Sequence, residues 1–286
     1  MSTSLTRGLS VLALAVAALP AHAQVADIQP SYRTALDGTF APHAMPSLTG
    51  GVEGFNVDLA ALIAERLGAE MQLDAAQFSG LIAALQAGTY DFLMAPVTVN
   101  EERAENLLFT EGFMDTNFSF VVPAGSPERA SLDDFRDLTI AVNRGSAYHS
   151  YLDDRASEYG WTVVPFGTNT DAVEAVATGR ADANLGGNTV SAWASLQNPA
   201  VELSYEIDTG LVWALAFRKD DVATRNLIDT VLECLKIDGS MAALSERWFG
   251  VAPVEGTTIV TPTPGYGVPG FTGYQESDHE ASCSFG

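Results

Sequence analysis

An α/β fold of two similar lobes, each a mostly parallel sheet flanked by helices, follows from three observations. Candidate strands alternate with helices of crossover length, which argues for parallel pairing. A helix-stop glycine followed by an aspartate at a strand entrance recurs after 91 residues, at Gly88-Thr89-Tyr90-Asp91 and Gly179-Arg180-Ala181-Asp182. Finally, 47% of the 286 residues are hydrophobic and only 17% are charged, enough apolar material for one or two cores and too much for a disordered chain. Turn chemistry alone also produces such an echo, so duplication and coincidence both stay open at this level.

From the N-terminus, Arg7 precedes the apolar run Leu9 to Leu19, then Pro20 and the small-residue triplet Ala21-His22-Ala23. This is the layout of a secretory signal over residues 1–23, cut before Gln24. The alternative, a membrane anchor, needs about 20 apolar residues, more than this run supplies. No cysteine lies near the cleavage site to accept a lipid anchor. The expected compartment is a periplasm or the exterior, where disulfides persist.

The body reads as strand and helix in turn. Asn56 is a candidate cap for a helix with Leu59, Leu62, Ile63 and Leu67 on one face, stopped by Gly68. Ser79 is a candidate cap for a short helix with Leu81, Ile82 and Leu85 inward, Gly88 ends it, and Phe92 to Ala95 is a buried strand. Leu138 to Val142 reads as a strand, Gly145-Ser146 as a helix start, and Trp161 to Phe166 as another strand. Asn169 is a candidate cap for a helix through Val173 and Val176 that stops at Gly179 before the strand Ala183 to Leu185. Val212 to Phe217 reads as a strand returning to the first lobe. The helix after it turns Leu227, Ile228, Val231, Leu232 and Leu235 inward, with Cys234 at the edge of that face.

Beyond Gly250, prolines and glycines make a tail, residues 251–286, in which regular helix or sheet is not expected. In an oxidising compartment Cys283 pairs with Cys234 and pins this tail to the body; the alternative is two free thiols.

Charge excludes whole classes of function. Fourteen Lys and Arg against 36 Asp and Glu give a formal net charge of -22, leaving no basic stripe for nucleic acid and little attraction to anionic membranes. Solubility or salt adaptation explains the acidic surface more simply than partner choice. Two cysteines and four scattered histidines make no metal-ligand set, and neither a metal nor a cofactor is expected.

Several segments carry a family resemblance. Gly54-Phe55-Asn56-Val57-Asp58-Leu59 through Arg66-Leu67-Gly68, Phe78-Ser79-Gly80-Leu81 through Gly88 and Asp91, and Thr98-Val99-Asn100-Glu101-Glu102-Arg103 stand in one order and spacing. With Phe109-Thr110-Glu111-Gly112-Phe113, Val142-Asn143-Arg144-Gly145-Ser146 and Arg247-Trp248-Phe249-Gly250, the chain from Tyr32 to Gly250 resembles the family 3 solute-binding proteins of amino-acid ABC transporters. The resemblance implies a two-lobed, type II periplasmic-binding-protein fold whose lobes are joined by two crossing strands and close like a hinge on a small ligand. It implies a monomeric carrier that delivers a carboxylate-bearing ligand to an ABC permease, with lobe 1 over 24–121 plus 215–250 and lobe 2 over 122–214.

On spacing alone, Arg103 reads as a surface arginine paired with Glu102 or Glu105. The resemblance makes it the anchor of a ligand carboxylate, which a planar guanidinium holds through charge-assisted hydrogen bonds. It likewise implies that Thr98 hydrogen-bonds the same carboxylate, that Ser146 at a helix N-terminus is its counterpart across the cleft, and that Phe40 and Phe78 cover the ligand, although two such rings on their own read as core. Asp37 reads first as a turn cap, with ligand contact as the alternative.

Where the family usually places an aspartate for the ligand ammonium, this chain has Gly187, flanked by Gly186 and Asn188. Neutral Asn188 accepts a hydrogen bond but carries no charge, so ammonium recognition is weakened or supplied elsewhere. Asn100 replaces a usual threonine, and Arg144 is expected to bring an extra cation to the cleft. The expected ligand is a small polar amino acid or a related carboxylate; the alternatives are a non-amino-acid carboxylate or a cyclohexadienyl-dehydratase-like enzyme, for which no general acid stands out. Sensing ectodomains and regulatory domains share the fold, but no second transmembrane segment or catalytic domain points to them.

Overall fold

The computed structural model describes residues 27–285, so the expected signal segment lies outside the described residues. From the N-terminal side come β1 (Ser31–Leu36), the hairpin β2 (Met45–Pro46) and β3 (Val52–Glu53), α1 (Phe55–Leu67), β4 (Glu70–Ala75), α2 (Phe78–Gln86), β5 (Phe92–Thr98), α3 (Glu101–Asn106), β6 (Leu107–Phe109) and β7 (Met114–Asp115). The middle of the chain supplies β8 (Phe118–Pro123), β9 (Thr139–Asn143), α4 (Ala147–Tyr159), β10 (Thr162–Phe166), α5 (Asn169–Ala177), β11 (Ala183–Gly187), α6 (Asn188–Gln197) and β12 (Val201–Ile207). It then returns through β13 (Val212–Arg218), α7 (Val222–Ile237) and α8 (Ser240–Phe249).

Two sheets result. The first has the order β4-β1-β5-β13-β6, with β7 also on β13; the second has the order β10-β9-β11-β8-β12. In each, three parallel strands joined by helices meet one antiparallel strand that arrives from the other half: β13 beside β5, and β8 beside β11. The echo is structural as well. Gly88 and Gly179 both stop a helix with positive φ, 76° and 71°. Asp91 then accepts the Arg33 N–H at 2.7 Å, and Asp182 accepts the Thr139 N–H at 2.8 Å. Each aspartate, one residue ahead of β5 or just ahead of β11, thus ties that strand to the middle one of the three parallel strands in its sheet.

Sheet membership moves the lobe boundaries. All of β8 belongs to the second sheet and all of β13 to the first, so the chain crosses at 116–117 and 208–211 instead of 121/122 and 214/215. Composition does not mark the crossings because β8 and β13, the strands entered after each crossing, are both apolar and buried.

Three caps also differ from expectation. Gly54, not Asn56, precedes α1, with φ 148° and so close to the chain that a Cβ would meet His43 O at 2.3 Å. Asn56 lies inside the first turn and uses its amide on Met94 O, 2.7 Å away. Gln77 occupies the cap position of α2, in place of Ser79, and Asp37 Oδ2 accepts the Phe78 N–H there at 3.1 Å. Thr168, not Asn169, caps α5 by accepting the Asp171 N–H at 3.0 Å.

The tail makes no helix or strand but is docked. Cys283 is disulfide-bonded to Cys234 on α7. Above that helix the tail satisfies a row of buried polar and ionisable side chains. Arg225 donates to Gly273 O at 3.0 Å, Asp229 accepts the Gly267 N–H at 2.6 Å, and Glu233 meets His279 Nε2 at 2.9 Å. Lys236 pairs with Glu111 at 3.0 Å, both wholly buried, and donates to Thr261 O. No helix among the described residues is long and apolar enough to cross a membrane.

Candidate functional site

The end of β1 lies beside the start of the parallel β5, which runs on to Thr98, and ligands of open α/β sheets settle beyond the carboxyl ends of such strands. A narrow cleft lies there, lined by Asp37, Phe40, Phe78, Thr98 and Arg103 of the first lobe and by Asn143, Ser146 and Tyr148 of the second, with neighbouring small residues. Five of the six residues singled out from the sequence therefore come together. Asn188 does not. It opens α6, where its Oδ1 accepts the Thr189 N–H at 3.0 Å and its own N–H donates to Asn117 O.

Arg103 sits in the first turn of α3, whose cap Asn100 accepts the Arg103 N–H at 2.9 Å. The replacement of threonine by Asn100 thus preserves a capping oxygen. Nη1 of Arg103 donates to Thr98 O at 2.9 Å, and Nη2 reaches across to Gly145 O of the second lobe at 3.2 Å. Among the described residues it makes no salt bridge, so the pairing with Glu102 or Glu105 is absent. Desolvation pulls its pKa down to about 10, with Tyr148 and Glu102 acting the other way. The group stays cationic near neutral pH and has N–H donors to spare.

Phe78 lies beneath this cation, its ring centre 5.7 Å from Arg103 Cζ, and Phe40 stands edge-on to Trp213 at 6.0 Å. Ser146 caps the 13-residue α4. Its Oγ accepts the His149 N–H at 3.2 Å and donates to Asn143 O at 2.7 Å, so its hydroxyl is committed to the protein. What α4 presents to the cleft is its positive end, at Ala147 and Tyr148. Arg144 is exposed and donates to Pro165 O, away from the lining, so the expected second cation is missing from the cleft.

Asp37 acts as the turn cap. Oδ1 accepts the Thr39 N–H at 2.9 Å and the Thr39 hydroxyl at 2.6 Å, while Oδ2 takes the Phe78 N–H. Three residues carried no chemical signal in the sequence. Trp213 donates from Nε1 to Thr98 Oγ1 at 3.1 Å. Tyr148 is buried, and desolvation pushes its phenol pKa up. His43 joins the lobes: Asn56 Oδ1 lies 2.9 Å from Nδ1, and Thr189 Oγ1 of the second lobe lies 2.8 Å from Nε2. Burial lowers the His43 pKa to about 4. Buried aromatic and imidazole rings pattern like core, which is why periodicity does not separate these three from Phe55 or Phe92.

Comparison with known proteins gives this geometry a context. Residues 32–251 match the family described as bacterial extracellular solute-binding proteins, family 3. The probable amino-acid-binding protein YxeM of Bacillus subtilis (strain 168) is 28% identical over 205 residues, which are 70% of this chain and 77% of that protein. The lysine/arginine/ornithine-binding periplasmic protein of Escherichia coli (strain K12) is 24% identical over 257 residues, 87% of this chain and 95% of its own length. Among solved structures, an ancestral arginine-binding protein bound to arginine superposes with a TM-score of 0.74 at 30% identity, over 78% of this chain and all of the other.

Proposed function

Because the chain belongs to the bacterial extracellular solute-binding proteins of family 3, we propose that it is the periplasmic binding component of an ABC importer, closing its two lobes on a small carboxylate-bearing solute, an amino acid or a close relative. The named relatives are binding proteins, not enzymes, and their names support an amino acid as the solute class and the periplasm as the compartment. One observation carries the reading: a cation, Arg103, stands in the cleft with no carboxylate of its own and touches both lobes.

In this reading the solute carboxylate takes the spare N–H groups of Arg103 and lies against the positive end of α4, while the Thr98 hydroxyl donates to it from the first lobe. Phe40 and Phe78 form apolar walls, and Ser146 keeps α4 in position. Asn188 contributes through the start of α6 and not by direct contact. The carrier works as a monomer and hands its solute to a membrane permease.

Calorimetric titration of unfolded, stripped and refolded protein against amino acids and organic acids tests this. Replacing Arg103→Ala should weaken the best solute at least about 30-fold, the equivalent of about 2 kcal/mol for a charge left buried and unpaired. An unchanged affinity in Arg103→Ala overturns the reading.

A further inference from the structure

We propose that the cleft reads the anionic end of its solute and is indifferent to an α-ammonium, and that Trp213 is the residue that makes it so. The inference rests on the reading of Arg103 as the carboxylate anchor.

The charge inventory of the cleft comes first. Its described lining holds one cation, Arg103, and one anion, Asp37. Asp37 is 4% exposed and gives three acceptor positions to its own chain, at Thr39 N, Thr39 Oγ1 and Phe78 N. A carboxylate offers about four such positions, so little of this one is left for a solute. The wall from the second lobe is neutral: Asn143, Ser146 and Tyr148, with the Ser146 hydroxyl already used in both directions.

Trp213 then fixes the polarity of what remains. It comes from β13 of the first lobe and is wholly buried. Its Nε1–H occupies Thr98 Oγ1 as a donor, which leaves the Thr98 hydroxyl proton to be given to an acceptor, and a carboxylate is one. The far edge of the same indole lies on Gly187 of the second lobe. A Cβ at residue 187 would fall 2.6 Å from Trp213 Cζ2, 2.9 Å from Cη2 and 2.8 Å from the Tyr148 hydroxyl. No side chain fits there while Trp213 does, so the second lobe brings no charge to that wall. An ammonium entering the cleft loses its water and meets only Asp37, whose acceptor positions are mostly taken, whereas a carboxylate gains the unpaired Arg103. The α-ammonium therefore adds little to affinity.

The test titrates the full, stripped chain with matched pairs that differ only in the α-ammonium: aspartate and succinate, glutamate and glutarate, phenylalanine and hydrocinnamate, arginine and its des-amino analogue. In each pair that binds, the two members should agree within about tenfold, or the des-amino form should bind more tightly. The double variant Trp213→Phe with Gly187→Asp, which frees the wall and adds a charge, should move the preference toward the ammonium form by at least about tenfold. Its fold is checked by circular dichroism, and if it fails to fold the wild-type pairs decide alone. Wild-type protein that prefers ammonium forms by more than about tenfold overturns the proposal. If Arg103→Ala abolishes that binding, the carboxylate anchor survives and only indifference to the ammonium falls; if Arg103→Ala leaves it unchanged, or if no pair binds, both readings fall.

Discussion

Asn56 donates its amide hydrogens to Met94 O, so its Oδ1 is the acceptor turned toward His43. That assignment puts the imidazole proton on Nδ1 and leaves Nε2 to accept the Thr189 hydroxyl, a tautomer inferred from the network. Protonation would reverse that bond, Nε2 then donating to the Thr189 oxygen, so what keeps His43 neutral is its burial. The folded protein keeps it neutral down to about pH 4, whereas an unfolded histidine takes its proton near 6.5. The stability gained is therefore complete above 6.5 and is lost as pH falls toward 4, by about 3 kcal/mol. Chemical denaturation at pH 7 and pH 4 should show wild type losing about that much more stability than His43→Gln; equal losses would show that burial does not hold His43 neutral. At this scale the legible residues were those inside linear motifs, such as Thr98 and Arg103. His43 and Trp213 were not, because their partners are distant in sequence: Thr189 and Thr98, respectively. Asn56 and Ser79 carry cap-forming side chains, yet the caps went to Gly54 and Gln77 because contacts from other segments, His43 O and Asp37, had already set those turns.

At the scale of elements, α7 joins an apolar face, legible from its periodicity, to a charged face that was not. Arg225, Asp229, Glu233 and Lys236 follow one another at helical spacing and would pattern as a solvated stripe, but the tail buries all four. No local signal reveals this, since what covers the stripe is a segment without secondary structure. Burial, with the nearby Glu111, raises the Glu233 pKa to about 8, so that carboxyl keeps its proton near neutrality and can donate to His279. The disulfide closes a loop of sequence separation 49, a constraint on the unfolded chain of roughly 4 kcal/mol. Cys283→Ser should lower the thermal midpoint by about 8–16 °C while leaving solute affinity unchanged, because no tail residue lines the cleft. An unchanged midpoint would show that the hydrogen bonds hold the tail unaided. Strands and helices were otherwise readable in order; the two crossings were not, because β8 and β13 look alike from either lobe.

Across the whole molecule, beside the packing of Trp213 on Gly187, the described hydrogen bonds between the lobes are few: Arg103 to Gly145 O, Thr170 to Thr39 O and Thr189 to His43. So sparse a seam suits a hinge, since each contact is worth only about 1 kcal/mol. Removing one should tilt the balance toward the open form without unfolding either lobe. Thr189→Ala is expected to weaken solute binding about fivefold, with small-angle scattering of the solute-free protein shifted to a larger radius of gyration. Identical scattering and affinity would show that this bond does not favour closure.

The fastening of the tail has a practical side. Because Cys283 is tied to α7, a label placed near it on the tail is held against the first lobe, on elements that do not line the cleft. A dye, bead or electrode attached there leaves the second lobe untouched, which makes the disulfide-held tail the natural handle for a tethered sensor.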